Sequence, residues 1–303
     1  MAEPIAGKIG SIVVLGTGMM APGIARACAG AASDVHVVGR NLARARDATR
    51  KASSARVSAA PLRPATFAGA SLIIETIVED LLTKQDVLAR VERWVADDAV
   101  IVSNTSSIPI GVIAEALARP ARFAGLHFLN PADATRVVEV VPGARTEAST
   151  LDTLIDLAGR MGKRPLVVRR DVPGFIWNRI QFAVLRECLY LLEEEIADIE
   201  SIDAAVSDGL APRWLAAGPL ATADLGGLET FARSAAQLFS DLASGSAVSD
   251  ELGRRAAGDR GFYEWTAEAR GRLEELRREL LGAHGATAAR RRDLTPAPAP
   301  RRP

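Results

Sequence analysis

A β-branched run, Lys8-Ile9-Gly10-Ser11-Ile12-Val13-Val14-Leu15, stops at Gly16. It leads through Thr17-Gly18-Met19-Met20-Ala21-Pro22-Gly23 into a small apolar stretch at residues 24–32. A strand, a glycine turn and a helix in that order constrain the fold more than any other feature of the chain. Gly16 suits the tight turn, a missing side chain at Gly18 lets a ligand approach the backbone, and Ala21 is small enough for close helix-on-strand packing. The helix start offers unpaired N–H groups and a positive dipole end, which suit a dinucleotide pyrophosphate. Gly16, Gly18, Met19 and Met20 are the first candidate cofactor-binding residues, although the two methionines suit packing better than chemistry.

The alternation continues. Val35-His36-Val37-Val38, Ser71-Leu72-Ile73-Ile74-Glu75, Ala99-Val100-Ile101-Val102-Ser103, Phe123-Ala124-Gly125-Leu126-His127-Phe128 and Val137-Val138-Glu139-Val140-Val141 read as strands, with a helix over 81–95. Strands that are apolar on both faces and alternate with helices predict a parallel sheet covered by helices. Near Asp171-Val172-Pro173-Gly174 the pattern changes to helical periodicity, first over 175–197 and then around 202–208, 228–242 and 265–281. The expected fold class is α/β: a Rossmann-like NAD(P)-binding domain over 1–170, followed by an all-α substrate and dimerisation domain over 171–285. Residues 286–303, rich in Ala, Arg and Pro, read as a disordered tail.

Charge excludes some partners. The 37 basic residues balance 37 acidic ones, which argues against nucleic acid or an anionic membrane as the principal partner. Cys28 and Cys188 read as buried thiols in a reducing compartment, and neither has metal-ligand spacing, so no metal is expected. No apolar run reaches the ~18–20 residues a membrane span needs, and no signal segment opens the chain, so a cytoplasmic location is expected.

The second strand bears on cofactor choice. An acidic residue at its end would hold the adenosine ribose hydroxyl of NAD. This strand instead ends Val38-Gly39-Arg40-Asn41, where Gly39 makes room for a 2′-phosphate and Arg40 offers a bidentate fork. NADP(H) is therefore favoured over NAD(H).

Three further segments carry a family resemblance. Ser103-Asn104-Thr105-Ser106-Ser107 follows one strand. Gly125-Leu126-His127-Phe128-Leu129-Asn130-Pro131 follows the next and leads to Glu139. Pro173-Gly174-Phe175-Ile176-Trp177-Asn178-Arg179 opens the helical region. With the glycine loop and Glu75-Thr76-Ile77-Val78-Glu79, these resemble the L-3-hydroxyacyl-CoA dehydrogenase family over about Ile9 to Phe262. The resemblance implies hydride transfer between a 3-hydroxy or 3-keto substrate, thioester-bound or free, and a nicotinamide. It implies His127 as acid/base, Glu139 as its hydrogen-bonding partner, Ser106 and Asn178 on the substrate oxygen, and Asn130 beside the histidine as a substrate contact. It also implies that Glu79 and Lys84, with Asn104, line the cofactor site, and that the protein is a homodimer. The chemistry agrees, because imidazole titrates near neutrality and a carboxylate can fix its tautomer. His36 and His284 have no such context.

Two departures qualify the substrate. Family members usually carry a long helical hairpin before the strand at Ser71. Residues 41–70 leave room for one helix, about 42–54, and a Pro-containing loop at 60–64, which weakens the case for CoA. In addition, Asp208-Gly209-Leu210-Ala211-Pro212-Arg213-Trp214 resembles the branch containing L-gulonate 3-dehydrogenase and carnitine dehydrogenase. There Arg213 is a candidate contact for a free carboxylate. A free 3-hydroxy acid, or a polyketide-type β-keto intermediate, is the alternative to an acyl thioester. A non-catalytic cofactor-binding relative is the alternative of another class.

Overall fold

The computed structural model describes residues 9–258 and 261–294, and the chain divides into two compact units after Arg179. This division falls slightly later than the change of character at Asp171.

In the first unit β1 (Ile9–Leu15), α1 (Ala21–Cys28), β2 (Ala32–Gly39), α2 (Leu42–Ala52), β3 (Val57–Pro61), α3 (Pro64–Phe67) and β4 (Ala70–Glu75) follow one another. Then come α4 (Leu81–Glu92), β5 (Val100–Ser103), α5 (Ile110–Ile113), β6 (Phe123–Phe128), β7 (Val137–Pro142), α6 (Ala148–Arg160) and β8 (Arg164–Val167). All eight strands form one sheet, ordered β3-β2-β1-β4-β5-β6-β7-β8. The order reverses between β1 and β4, which is the Rossmann pattern. Its core has two layers. Ile12, Val14, Ile74 and Val102 pack under α1, α2 and α6, while Val13, Ile73 and Ile101 pack under α4 and α5.

The sheet is mixed, where a parallel one was predicted. β1 to β6 pair in parallel, but β7 returns antiparallel to β6 and β8 then runs parallel to β7. The connection at 129–136 is too short for the crossover of a dozen or more residues that a parallel pair needs. The region after α2 also differs from its predicted loop. Val57 to Pro61 forms an edge strand with the proline at its end, where the lost donor is tolerated, and α3 follows as a single turn. No long helical hairpin lies between β2 and β4.

α7 (Trp177–Glu193) begins at the close of the first unit and continues into the second. The second unit holds α8 (Ile199–Ala204), a π-helical turn (Ala205–Leu210), α9 (Ala211–Ala216), α10 (Pro219–Gly226), α11 (Leu228–Leu238), α12 (Asp250–Ala257) and α13 (Ala267–Leu294). α13 passes through residues 286–294, which were expected to be tail; Ala and Arg are strong helix formers, and that propensity prevails. Residues 295–303 of the expected tail lie outside the described residues. The second unit leaves Leu220, Leu225, Leu228, Phe231 and Phe239 exposed. Among the described residues, no helix is long and apolar enough to cross a membrane, and no His/Cys/Asp/Glu group could hold a metal ion.

Candidate active site

The strands β1, β4, β5 and β6 all end at one edge of the sheet, and the candidate residues collect there. Gly16 has φ +140°, and a Cβ on it would lie 2.2 Å from the Thr76 carbonyl oxygen. Both facts require glycine. Its N–H donates to the Val38 carbonyl at 2.8 Å, which fixes the turn against β2. No atom lies within 4 Å of a Cβ built on Gly18, so this side of the turn has the space a phosphate approach needs. Ala21 is buried at the start of α1, Met20 packs on the core, and Met19 is exposed. The turn therefore fits a dinucleotide.

Gly39 has a different reason from the one predicted. A Cβ there would lie 2.6 Å from Thr17 Cγ2, so the glycine admits the side chain of the cofactor loop itself. Arg40 is exposed beside it. Asn41 caps α2, its side-chain oxygen accepting from the N–H groups of Ala43 and Arg44 at 2.9 and 3.2 Å.

A buried charge network stands at the ends of β4 and β5. Lys84, 1% exposed, donates to Glu75 Oε1 at 2.8 Å and lies 3.2 Å from Glu79 Oε2. Glu75 is fully buried, and it also accepts from Ser103 Oγ at 2.5 Å and from the Ile77 N–H at 2.6 Å. Glu79 Oε1 accepts from Thr105 Oγ1 at 2.6 Å, from the N–H groups of Ser106 and Ser107 at 2.9 and 3.0 Å, and from Ser107 Oγ at 3.0 Å. Burial raises the Glu79 pKa, but Thr105, Lys84 and the Ser106 and Ser107 amides outweigh it and hold the group at about 2. The carboxylate thus organises the Ser106 turn. Ser106 in turn receives Asn178, whose Nδ2 donates to the Ser106 carbonyl at 3.1 Å. Asn104 is engaged with protein groups. Its Oδ1 accepts from the Phe128 N–H at 2.7 Å and its Nδ2 reaches Thr76 Oγ1 at 3.3 Å, which ties the strand bearing His127 to β4.

His127 and Glu139 are direct cross-strand partners in the β6–β7 pair. His127 Nδ1 lies 2.6 Å from Glu139 Oε2, and both residues are buried. The other oxygen, Oε1, accepts from the N–H groups of Ile176 and Trp177, each at 2.9 Å. A left-handed pair, Gly174 (φ +77°) and Phe175 (φ +50°), turns those amides toward it. The Phe175 ring meets the imidazole edge-on at 5.6 Å. Burial raises the Glu139 pKa, but His127 and the two amides outweigh it, so the group sits below its ordinary value. An ionised Glu139 can only accept, so it takes a hydrogen bond from Nδ1–H of His127 and selects the tautomer whose lone pair is on Nε2.

The structure therefore brings together His127, Glu139, Ser106, Asn178, Glu79, Lys84 and Asn104. Asn130 lies exposed in the β6–β7 connection. Arg213 sits exposed in α9, in the second unit. Sequence reasoning missed Glu75, Ser103, Thr105 and the Ile176 and Trp177 amides. A carboxylate ending an apolar strand, as Glu75 does, was the available signal, because a buried charge requires partners.

A Rossmann sheet with a buried His–Glu pair at its carboxyl edge and a helical second unit defines a two-domain, dinucleotide-type architecture. The model of the 3-hydroxyacyl-CoA dehydrogenase NAD-binding domain matches residues 52–172, and that of the C-terminal domain matches 174–265. The chain belongs to the 3-hydroxyacyl-CoA dehydrogenase family. It is 35% identical over 176 residues to a 5-formyl-3-hydroxy-2-methylpyridine 4-carboxylate 5-dehydrogenase of Mesorhizobium japonicum, covering 58% of this chain and 57% of that one. It is 38% identical over 164 residues to a probable 3-hydroxybutyryl-CoA dehydrogenase of Deinococcus radiodurans, covering 54% of this chain and 58% of the relative. The matched segments thus span little more than half of either relative. Among solved structures, the NAD+-dependent dismutase 5-formyl-3-hydroxy-2-methylpyridine 4-carboxylic acid 5-dehydrogenase superposes with TM-score 0.84 at 28% identity, over 90% of this chain and 96% of that one. The (S)-3-hydroxybutyryl-CoA dehydrogenase of Ralstonia eutropha gives 0.66 at 28% identity, over 84% and 99%.

Proposed function

We propose that the protein is a nicotinamide-dependent dehydrogenase or reductase that interconverts a 3-hydroxyacyl and a 3-ketoacyl substrate, with His127 and Glu139 as its acid/base pair. The observation that carries this reading is the 2.6 Å His127–Glu139 contact, with the second Glu139 oxygen held by two backbone amides. In oxidation, His127 Nε2 takes the hydroxyl proton as the C–H bond breaks, and Glu139 stabilises the imidazolium. Bound nicotinamide supplies the hydride acceptor; Gly16, Gly18 and the start of α1 would hold its pyrophosphate. Ser106 and Asn178 orient the substrate oxygen, and Asn130 contacts the substrate beside His127. Reduction runs the same steps backward, with imidazolium donating the proton.

At the adenosine end Arg40, with no carboxylate closing β2, favours NADP(H). The relative described as NAD+-dependent makes a comparison of both cofactors part of the test. Exposed leucines and phenylalanines in the second unit support a homodimer. The free thiols of Cys28 and Cys188 fit a reducing, cytoplasmic setting.

A second reading has its own support. The absence of a helical hairpin between β2 and β4, and the 0.84 superposition on an enzyme named for a free pyridine carboxylate, favour a free acid, with Arg213 as a carboxylate contact. One panel separates the readings: acetoacetyl-CoA, acetoacetate and 5-formyl-3-hydroxy-2-methylpyridine 4-carboxylate, each with both cofactors, on wild type and His127→Gln. His127→Gln should lose ~10²- to 10⁴-fold in turnover while cofactor affinity stays within about twofold. Near-normal turnover would refute the mechanism, and cofactor binding with no turnover on any carbonyl substrate would point to a binding protein.

A further inference from the structure

The segment 129–136 joins the strand of His127 to the strand of Glu139 and carries Asn130. Internal bonds alone give it a simple turn. The Pro131 carbonyl accepts from the N–H of Ala134 at 3.2 Å, and from the N–H and hydroxyl of Thr135 at 3.0 and 2.9 Å. Two cations from elsewhere in the fold then fix its course. Lys163, 6% exposed, donates its ammonium to the carbonyl of Ala132 at 2.6 Å and to the carbonyl of Thr135. Arg26, at the end of α1, donates to Asp133 Oδ2 at 2.6 Å, to the Ala52 carbonyl at 2.7 Å and to the Lys51 carbonyl. On the same side, a Cβ on Gly23 of α1 would lie 3.2 Å from Ala132 Cβ, so helix and connection are in close contact.

Burying a lysine is unfavourable, and burial lowers the Lys163 pKa while Asp133 and Cys28 oppose that shift. A neutral side chain could fill the same volume. The ammonium gains two buried carbonyls on either side of Asp133, so it spans the turn in a way no apolar residue can. Gly162, with φ +68°, closes α6 and sets Lys163 at this point, immediately before β8.

We propose that Lys163, supported by Arg26, is a positioning residue for Asn130: it clamps the β6–β7 connection so that the Asn130 side chain is presented to the substrate beside His127. The clamp also couples α1, which follows the cofactor turn, to the substrate side of the site. The inference rests on the reading of Asn130 as a substrate contact. A displacement of about 1 Å in a positioning element can lower rate by ~10²-fold without touching the chemistry.

The test is a double-mutant cycle of Lys163→Met and Asn130→Ala, using the best substrate of the panel above, with cofactor Kd from fluorescence titration and Tm as controls. Lys163→Met should lower kcat/KM by ~10- to 100-fold with cofactor Kd within about twofold, and in the Asn130→Ala background it should add less than about threefold. Lys163→Arg should recover part of the loss. If Lys163→Met fails to fold, Arg26→Gln, which alters a partly exposed side chain, replaces it in the same cycle. Multiplicative losses, or a Lys163→Met enzyme with normal kcat/KM, overturn the clamp while leaving the Asn130 reading intact. A silent Asn130→Ala overturns that reading, and the proposal with it.

Discussion

Glu139→Gln isolates what the carboxylate does for His127, because the backbone dictates how a glutamine must sit. Oε1 faces two N–H donors, from Ile176 and Trp177 at 2.9 Å, and Oε2 faces His127 Nδ1 at 2.6 Å. A glutamine has one oxygen for these two sides. Turning its NH₂ toward the amides would set donor against two donors, at ~1–3 kcal/mol for each group left unsatisfied. The oxygen therefore stays with the amides and the NH₂ faces the imidazole. Nδ1 must then accept, so the proton moves to Nε2 and the base is lost. A wrong tautomer combined with the loss of an ionised partner should lower kcat by ~10³- to 10⁴-fold, or about 4–5 kcal/mol of transition-state stabilisation. The assay is single-turnover hydride transfer followed by nicotinamide absorbance, with cofactor Kd measured in parallel. A variant within about tenfold of wild type would show that Glu139 does not set the tautomer.

Two further predictions concern stability. Gly16→Ala should destabilise the fold by ~2–4 kcal/mol in urea and weaken cofactor binding, because the new Cβ meets a backbone oxygen at 2.2 Å with φ at +140°; an unchanged midpoint would contradict this geometry. Glu79 is lowered from 4.5 to about 2 in the folded state, so its contribution is complete above pH 4.5 and is lost as pH falls toward 2. Discounted for a carboxylate that is 37% exposed, this amounts to about 1–2 kcal/mol. Glu79→Gln should therefore flatten the acid limb of a Tm-against-pH profile, with the Glu139 portion remaining; parallel profiles for the two proteins would remove the assigned role.

Much of this was legible in the sequence. Gly16 and Gly18 announce the turn, and the long apolar runs announce a sheet covered on both faces. The spacing between His127 and Glu139 fits two strands joined by a short return, although the antiparallel sense of β7 follows only once the connection is measured against a crossover. Other features left weak traces. β3 is an alanine-rich edge strand ending in Pro61, so it lacks the β-branched signal of the core strands. β8 is four residues long and opens with Arg164-Pro165. Gly39 looked like space for a phosphate and proved to be space for Thr17. The donors to Glu139 are backbone amides, which no residue type advertises. Lys163 stands beside Arg164 and near Arg160 in sequence, where nothing sets it apart from a solvated basic cluster, and its meaning appears only when the carbonyls of Ala132 and Thr135 converge on it.

The amides of Ile176 and Trp177 also matter for anyone recombining this chain with a relative. A graft that exchanged helical modules at the compositional break near Asp171 would take those amides from the donor protein, and Glu139 would then depend on a foreign loop for two of its three hydrogen bonds. A crossover after Arg179 keeps Gly174, Phe175 and both amides with the strand they serve. Chimeras cut at the later point should retain the recipient's Glu139 contacts, so the seam for modular exchange lies within the first turn of α7.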